Sequence, residues 1–372
     1  MIDPVQIVTR TIDSEQAAEV YVTAIPRASV PLEAEARRMF AGIRDVLRSG
    51  GARLFQERVF AADETFEAIM AIRAETYGDL DDGVPPARLI VPEEASGKIA
   101  GIQVHAVRGP SSPEPVRLEG SVCGRTLCLG DRMFLGLSGL AAPEAGAPPD
   151  QARVMFDKAL RILDGGAGGI EAVARTWWWL GDILAWYDEF NRLRTRFFYE
   201  HGLIDGRTGR VRLPASTGIG VRPAGGAACA MDLIAVTGGG EATEFLLAGG
   251  RQQPAFDYGS AFSRAARTLM PAGETLFVSG TAAIDASGAT VHAGDAAAQI
   301  EATLANVRAI LDGAGCRDED VLQAIAYCKT PAVEDVLNAR WADLSWPRVT
   351  AIADVCRDDL LFEIEATAVV RR

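Results

Sequence analysis

Two carboxylates near the C-terminus stand where carboxylates are uncommon. Glu363 and Glu365 lie in the run FEIEA, behind Leu361 and Phe362 and around Ile364. Asp and Glu are depleted from strands and are rarely buried without a partner. Side chains alternate along a strand, so Glu363 and Glu365 share one face and Ile364 takes the other. One reading is a half-exposed strand with two solvated carboxylates, the common state of an antiparallel sheet. The other is an acid held for chemistry: in a partly apolar strand a carboxyl pKa rises far enough for general acid work. An arginine, Arg348, stands just before the preceding strand. Cys356 lies seven residues before Glu363. No His neighbours it in sequence, so it is not read as a nucleophile, and a small apolar filler is its plainer reading.

These residues need strands to hold them. The stretch Trp346 to Val369 reads as a hairpin, with strands over 349–355 and 360–370 joined by a short polar turn. Further back, apolar spacing predicts helices over 32–49 (Ala36, Phe40, Ile43, Leu47, closed by Gly50–Gly51) and over 63–77. RLFQERVFA lies between them as a strand, and the Pro- and Gly-rich 83–98 reads as a connector.

From there a pattern occurs twice. Strands near 101–107 and 132–138 lead into a helix over 151–168, the strand ARTWWWL, a helix beginning at AWYDEF and a closing pair over 213–237. The second copy repeats this with TLFVSGTAAI, a helix over 299–316, the strand AIAYCKT, the helix AVEDVLNARWADL and the hairpin of Arg348 and Glu363. Pro214 falls on Pro347, Asp232 close to Glu363, and Ala215 on Arg348. The helix, glycine pair and strand over 32–61 look like a partial third copy. The expected architecture is α+β, with tandem antiparallel sheets and helices on one face. The boundaries are 1–95 (partial repeat and connector), 96–237 (first, degenerate domain), 238–254 (Gly-rich linker) and 255–372 (C-terminal domain).

Composition narrows the function. The chain has 372 residues, 48% of them hydrophobic, and a net charge of −13. That balance disfavours nucleic acid and anionic membranes, which need clustered Lys and Arg. It leaves room for a small anionic substrate at a local arginine site. Six scattered cysteines without a CxxC pair and three histidines make a zinc or iron site a poor expectation. No apolar run is long enough to span a membrane and no signal segment opens the chain, so the expected setting is cytoplasmic, with reduced thiols.

The phrases FSRAARTL, TLFVSGTAAI, QIEATLANVRAIL, WPR and FEIEA resemble the RidA/YjgF domain, the reactive-intermediate deaminases. Taken in order with RTWWWLGDILAWYDEFNRLRTRFFYEHGL, RLPASTGIG and DVCRDDLLFEIEA, they resemble the chorismatase family over roughly residues 95–372. The resemblance implies two RidA-like (chorismate-mutase-like) domains in a pseudo-trimeric relation, no cofactor, and a monomer or a RidA-like trimer. It implies cleavage of chorismate to 3-hydroxybenzoate and pyruvate, in secondary metabolism, with Glu363 as acid and Cys356 pointing to the 3-hydroxybenzoate type. Arg348 and Arg175 become the two carboxylate anchors, with Arg192, Arg194 and Arg212 as weaker candidates. Ser279, Gly280 and Thr281, at a strand end, read either as ligand contacts or as a bulge; Thr217 and Tyr187 are further substrate-binding candidates. Other outcomes stay open: hydrolysis to a dihydroxycyclohexadiene carboxylate or a mixture with 4-hydroxybenzoate, an enamine or imine deaminase, and a non-catalytic metabolite binder.

Overall fold

The computed structural model describes residues 3–92, 98–166, 168–238, 243–250 and 252–371. Among them, three six-stranded sheets are each backed by a pair of helices. The first unit runs β1 (Val5–Asp13), β2 (Ala18–Pro26), α1 (Leu32–Gly50), β3 (Arg53–Ala61), α2 (Phe66–Tyr77), β4 (Ala87–Ile90) and β5 (Ile99–Arg108). The second runs β6 (Glu114–Leu118), β7 (Ser121–Leu129), β8 (Arg132–Ala141), α3 (Pro148–Asp164), β9 (Val173–Leu180) and α4 (Ile183–Glu200). It continues through a small ribbon of β10 (Ile204–Asp205) and β11 (Arg210–Val211) to β12 (Ala215–Ile219), β13 (Arg222–Pro223) and β14 (Cys229–Thr237). The third runs β15 (Thr243–Leu246), β16 (Ala265–Leu269), β17 (Glu274–Ala282), α5 (Ala296–Gly313), β18 (Val321–Cys328), α6 (Pro331–Arg340), β19 (Arg348–Ile352) and β20 (Phe362–Val369).

Five strands follow the same order in all three, and the sixth lies at a different edge in the first. The order is β1-β2-β5-β3-β4 in the first sheet, with β13 added at the end, β6-β7-β8-β14-β9-β12 in the second, and β15-β16-β17-β20-β18-β19 in the third. In each, the strand after the second helix lies parallel to the strand before it: β4 on β3, β12 on β9, β19 on β18. The last strand then inserts antiparallel beside that central strand. Each helix pair turns an apolar stripe to its own sheet. On α1 the stripe is Ala36, Met39, Phe40, Ile43 and Leu47, and the helix closes at Gly51 with φ +62°. The opposite sheet faces meet in one shared core, where Phe60, Phe134, Trp177, Trp179, Phe277 and Tyr327 pack together. Burial of such side chains stabilises by about 1.5–3 kcal/mol each. Two glutamines tie the sheets across this core. Gln56 Nε2 donates to Leu137 O (2.8 Å) and Leu233 O (2.9 Å), and Gln323 Nε2 donates to Val22 O (2.9 Å) and Val104 O (3.1 Å).

Several expectations are corrected here. The stretch 346–369 is not a hairpin. β18 lies between β19 and β20, because a strand–helix–strand crossover sets β19 parallel beside β18 and leaves β20 the other side. The segment 101–107 does not open the second unit; β5 pairs with β2 and β3 and completes the first sheet, so the boundary at 96 falls short. Its hydrogen-bonding edges match strands earlier in the chain, and β8 takes β7 and β14 instead. The N-terminal part is therefore a full unit rather than a partial repeat. The linker expected at 238–254 includes the edge strand β15; residues 239–242 and 251 lie outside the described residues.

Candidate active site

Strand register fixes which residues correspond between units. Glu363 on β20 faces Tyr327 on β18; Ala230 on β14 faces Trp179 on β9; Gly101 on β5 faces Phe60 on β3. Two residues on, Glu365 faces Ile325, Asp232 faces Trp177 and Gln103 faces Arg58. Asp232 is thus the counterpart of Glu365, and the alignment of Asp232 with Glu363 is corrected by two residues. Among the three corresponding positions, Glu363 is the one acid.

Glu363 reaches a cavity of about 740 Å³ between the second and third sheets. It is 5% exposed. Burial pushes its carboxyl up to about 8, the Glu365 charge adds to the rise, and Arg175 opposes it. Glu363 is therefore protonated at neutral pH. Gly280 makes room for it: a Cβ there would stand 2.0 Å from Glu363 Oε1, so no other residue fits without moving the acid.

Glu365 plays a different part. It accepts from Arg175 Nη2 (2.8 Å), Trp177 Nε1 (2.6 Å) and the Thr217 hydroxyl, so its charge is held by three donors across the sheet interface. Thr217 Oγ1 in turn accepts from Arg175 Nη2 (2.6 Å) and from Gly280 N (3.0 Å). This lattice fixes Gly280 and the strand under Glu363. Between the two sheets, Ser279 Oγ accepts from Ser216 N (2.7 Å) and donates to Ser263 O (2.5 Å).

Two buried arginines stand on the cavity wall. Arg194 on α4 and Arg264 before β16 are each 1% exposed. Their guanidinium carbons lie 6.0 and 5.5 Å from the centroid of one ring, Phe262. Arg194 Nη2 donates to Asn191 Oδ1 (2.6 Å), and Arg264 Nη2 donates to the Tyr258 hydroxyl (2.6 Å). Arg194 Nε and Arg264 Nη1 are buried without a partner among the described residues. Such donors cost stability unless a ligand satisfies them. Tyr187 sits against Arg194 and Asn191 on the same helix face, and burial raises its phenol pKa. Cys356 also lines the cavity; burial and then Glu363 push its thiol up to about 12, so it stays a neutral thiol.

The cavity unites Glu363, Cys356, Tyr187 and Gly280. It does not include Arg348. That residue lines a different cavity, between the third and first sheets, because β18 separates its strand from that of Glu363. Arg175 does not line the wall either, being buried and ion-paired with Glu365. Ser279 and Thr281 are fully occupied by the backbone, Thr281 Oγ1 donating to Ser279 O (2.9 Å), and make no part of the wall. Thr217 holds the site from behind. Trp177 and Trp179 are core, as is Trp178 on the outer face. Arg212 stacks on Phe245 at 5.3 Å and is outside the wall, whereas Arg192 lines it. Sequence reasoning ranks Arg194 low and misses Arg264. Arg194 shares the helical spacing of the buried Ile183, Phe190 and Phe197, a sign that it is not solvated. Arg264 sits inside the FSRA phrase, next to the buried Ser263.

Known proteins were compared with this geometry in view. The family model for Endoribonuclease L-PSP matches residues 255–370, the third sheet without its edge strand. A crystal structure of a chorismatase superposes with a TM-score of 0.58 over 99% of this chain and 100% of that one, at 18% identity. The fold is that of a chorismatase. In the chorismatase fold, residues 255–370 are the RidA-like third. A putative endoribonuclease from Thermotoga maritima is 24% identical over 35% of this chain and 98% of its own, with a TM-score of 0.28. A putative endoribonuclease L-PSP from Entamoeba histolytica is 18% identical over 34% and 98%, with a TM-score of 0.29. No curated protein sequence matches the chain. No described helix is long and apolar enough to cross a membrane, and the described residues contain no cluster of three or more His, Cys, Asp or Glu that could hold a metal.

Proposed function

We propose that the chain cleaves chorismate, giving pyruvate and 3-hydroxybenzoate, at the cavity between the second and third sheets. One observation supports this above the rest: a buried carboxyl, whose pKa burial raises to about 8, shares a cavity with two buried arginines bearing N–H groups unpartnered among the described residues. Chorismate is a dianion with a ring carboxylate and an enolpyruvyl carboxylate, and two cationic anchors suit it. Arg194 and Arg264 take this role in place of Arg348 and Arg175. Glu363 donates its proton to the vinyl methylene, and an oxocarbenium centre forms at the ether carbon. Glu365, fixed as an anion behind it, stabilises that developing positive charge. The neighbouring C4 hydroxyl then loses its proton and bonds to ring C3 as the C3–O ether bond breaks and pyruvate leaves; the C4–O bond of the resulting epoxide opens, its oxygen is protonated, and C3 loses a proton, which makes the ring aromatic as 3-hydroxybenzoate. With water as the attacking group, the product is instead the dihydroxycyclohexadiene carboxylate. Cys356, neutral and apolar at the wall, supports the first course by keeping water from the reacting carbon.

Incubation with chorismate followed by chromatography tests the reading. It expects pyruvate and 3-hydroxybenzoate in equal amounts. Dihydrodiol acid as sole product reassigns the attacking group, and unchanged chorismate rejects the reaction.

A further inference from the structure

A second cavity, of about 570 Å³, opens between the third and first sheets. Its volume is in the range of small-molecule sites. It is built on the same plan as the first. α6 presents Glu334 and Asn338, four residues apart, to this cavity, as α4 presents Tyr187 and Asn191 to the other. β19 forms its floor as β12 forms part of the other.

The chemistry of its wall is one-sided. Arg10, Arg27 and Arg348 line it, and none makes an ion pair among the described residues. Arg27 Nε donates to Gln6 Oε1 (3.0 Å) and Arg348 Nη1 to Leu344 O (3.0 Å), which leaves most of each guanidinium fork free of protein acceptors. In a chain with 50 Asp and Glu against 37 Lys and Arg, three arginines without a carboxylate partner in one cavity need a reason. Trp346, 2% exposed, adds an indole N–H with no partner among the described residues. The one carboxyl on the wall, Glu334, is pushed up to about 7 by burial and then by Asp335, so its negative charge is only partly present at neutral pH. The wall is therefore a set of donors with little to oppose them.

It lacks a reacting acid. Gly101 occupies the position of Glu363, and a Cβ there would stand 2.6 Å from Val349 Cγ2 and 3.1 Å from Ala24 O. Packing between β5 and β19 leaves no room for a side chain.

We propose that this cavity is a second, non-catalytic site for a small oxyanion ligand, a carboxylate or a phosphate, held by Arg348, Arg10 and Arg27 with the Trp346 indole. Titration calorimetry of the full chain, with benzoate and with inorganic phosphate as probes, tests it. The expected result is binding of at least one probe that survives Arg264→Met and Glu363→Gln. That binding loses at least about tenfold in affinity in Arg348→Ala, and likewise in the double variant Arg10→Ala/Arg27→Ala. The two variants lie on different sheets, so misfolding of one does not remove the test. Binding of benzoate alone assigns a carboxylate ligand, and of phosphate alone a phosphate one. Binding that is lost in Arg264→Met and kept in both second-cavity variants belongs to the first cavity and overturns the proposal, as does no binding of either probe.

Discussion

The cavity beside Glu363 and the cavity beside Arg348 share one register and one topology, yet they divide the chemistry between them. The first has a protonated acid, two buried arginines and a neutral thiol; the second has three arginines, an indole and, at the acid's position, a glycine packed tightly against Val349. The third such interface, between the first and second sheets, is nearly filled: about 70 Å³ remain beside Ala230, and Arg58 Nε closes on Asp232 at 2.7 Å. Under the proposed reaction, what separates the cleft of Glu363 from its counterparts is a single strand position, Glu363 against Ala230 and Gly101, together with what the facing helix presents.

Glu363→Gln should break the comparison most sharply. Under the proposed reaction it lowers kcat by about 10²–10⁴-fold while calorimetry still detects ligand, since the arginines remain. A near-normal rate in this variant would erase the distinction between the clefts. Next in size, Arg264→Met or Arg194→Met raises KM by about 10–100-fold through loss of a charged hydrogen bond, whereas Arg348→Ala leaves KM unchanged. A KM that collapses in Arg348→Ala instead would restore the arginine to the first site. The pH profile follows: the acid works while protonated, so kcat is flat below about 8 and falls tenfold per unit above it. A rate that rises through pH 9 contradicts an acid of that pKa.

Stability gives the smaller effects. The folded pKa of Glu363, about 8, exceeds its ordinary value of 4.5, so ionisation costs the folded state more as pH rises between the two. Glu363→Gln carries no such cost. Its Tm gain over the parent should be larger at pH 9 than at pH 5; an equal difference at both would show that the acid is not destabilised by burial. Last, Gly101→Ala overpacks β5 against Val349 and lowers stability by about 1–3 kcal/mol in denaturant unfolding, without changing turnover. Gly280→Ala, meeting Glu363 instead, should reduce kcat. If the two glycine variants behave alike, the clefts are less distinct than their walls suggest.

Much of the third unit is legible in local patterns. The helices, the central strand and the acid in FEIEA follow from periodicity and from a carboxylate out of place. Strand order is not local. Nothing in WPRVTAIADVCRDDLLFEIEA says that β18 passes between its two strands, and with that insertion Arg348 and Glu363 turn to different neighbours. The first unit was read as partial for a related reason: β5 has the burial of a central strand, but its partners lie some eighty and fifty residues upstream. Arg194 was underweighted because an arginine on a charged helix is usually solvated, and only its spacing with Phe190 and Phe197 says otherwise. Glu365 illustrates the converse. It shares a face with Glu363, but whether a carboxyl there is a charged anchor or a neutral acid depends on donors from a different sheet, Arg175 and Trp177, which no spacing reveals.

The three sheets belong to one continuous chain, and that changes what a substitution can do. In a ring of identical subunits any replacement appears at every interface at once, so a residue that improves one cleft is imposed on the others. Here each interface has its own codons. One is closed around Arg58 and Asp232, another carries a glycine where the third carries its acid, and a change in any of them leaves the other two as they are. A single chain thus leaves each of its three clefts free of the symmetry that their shared topology would otherwise impose.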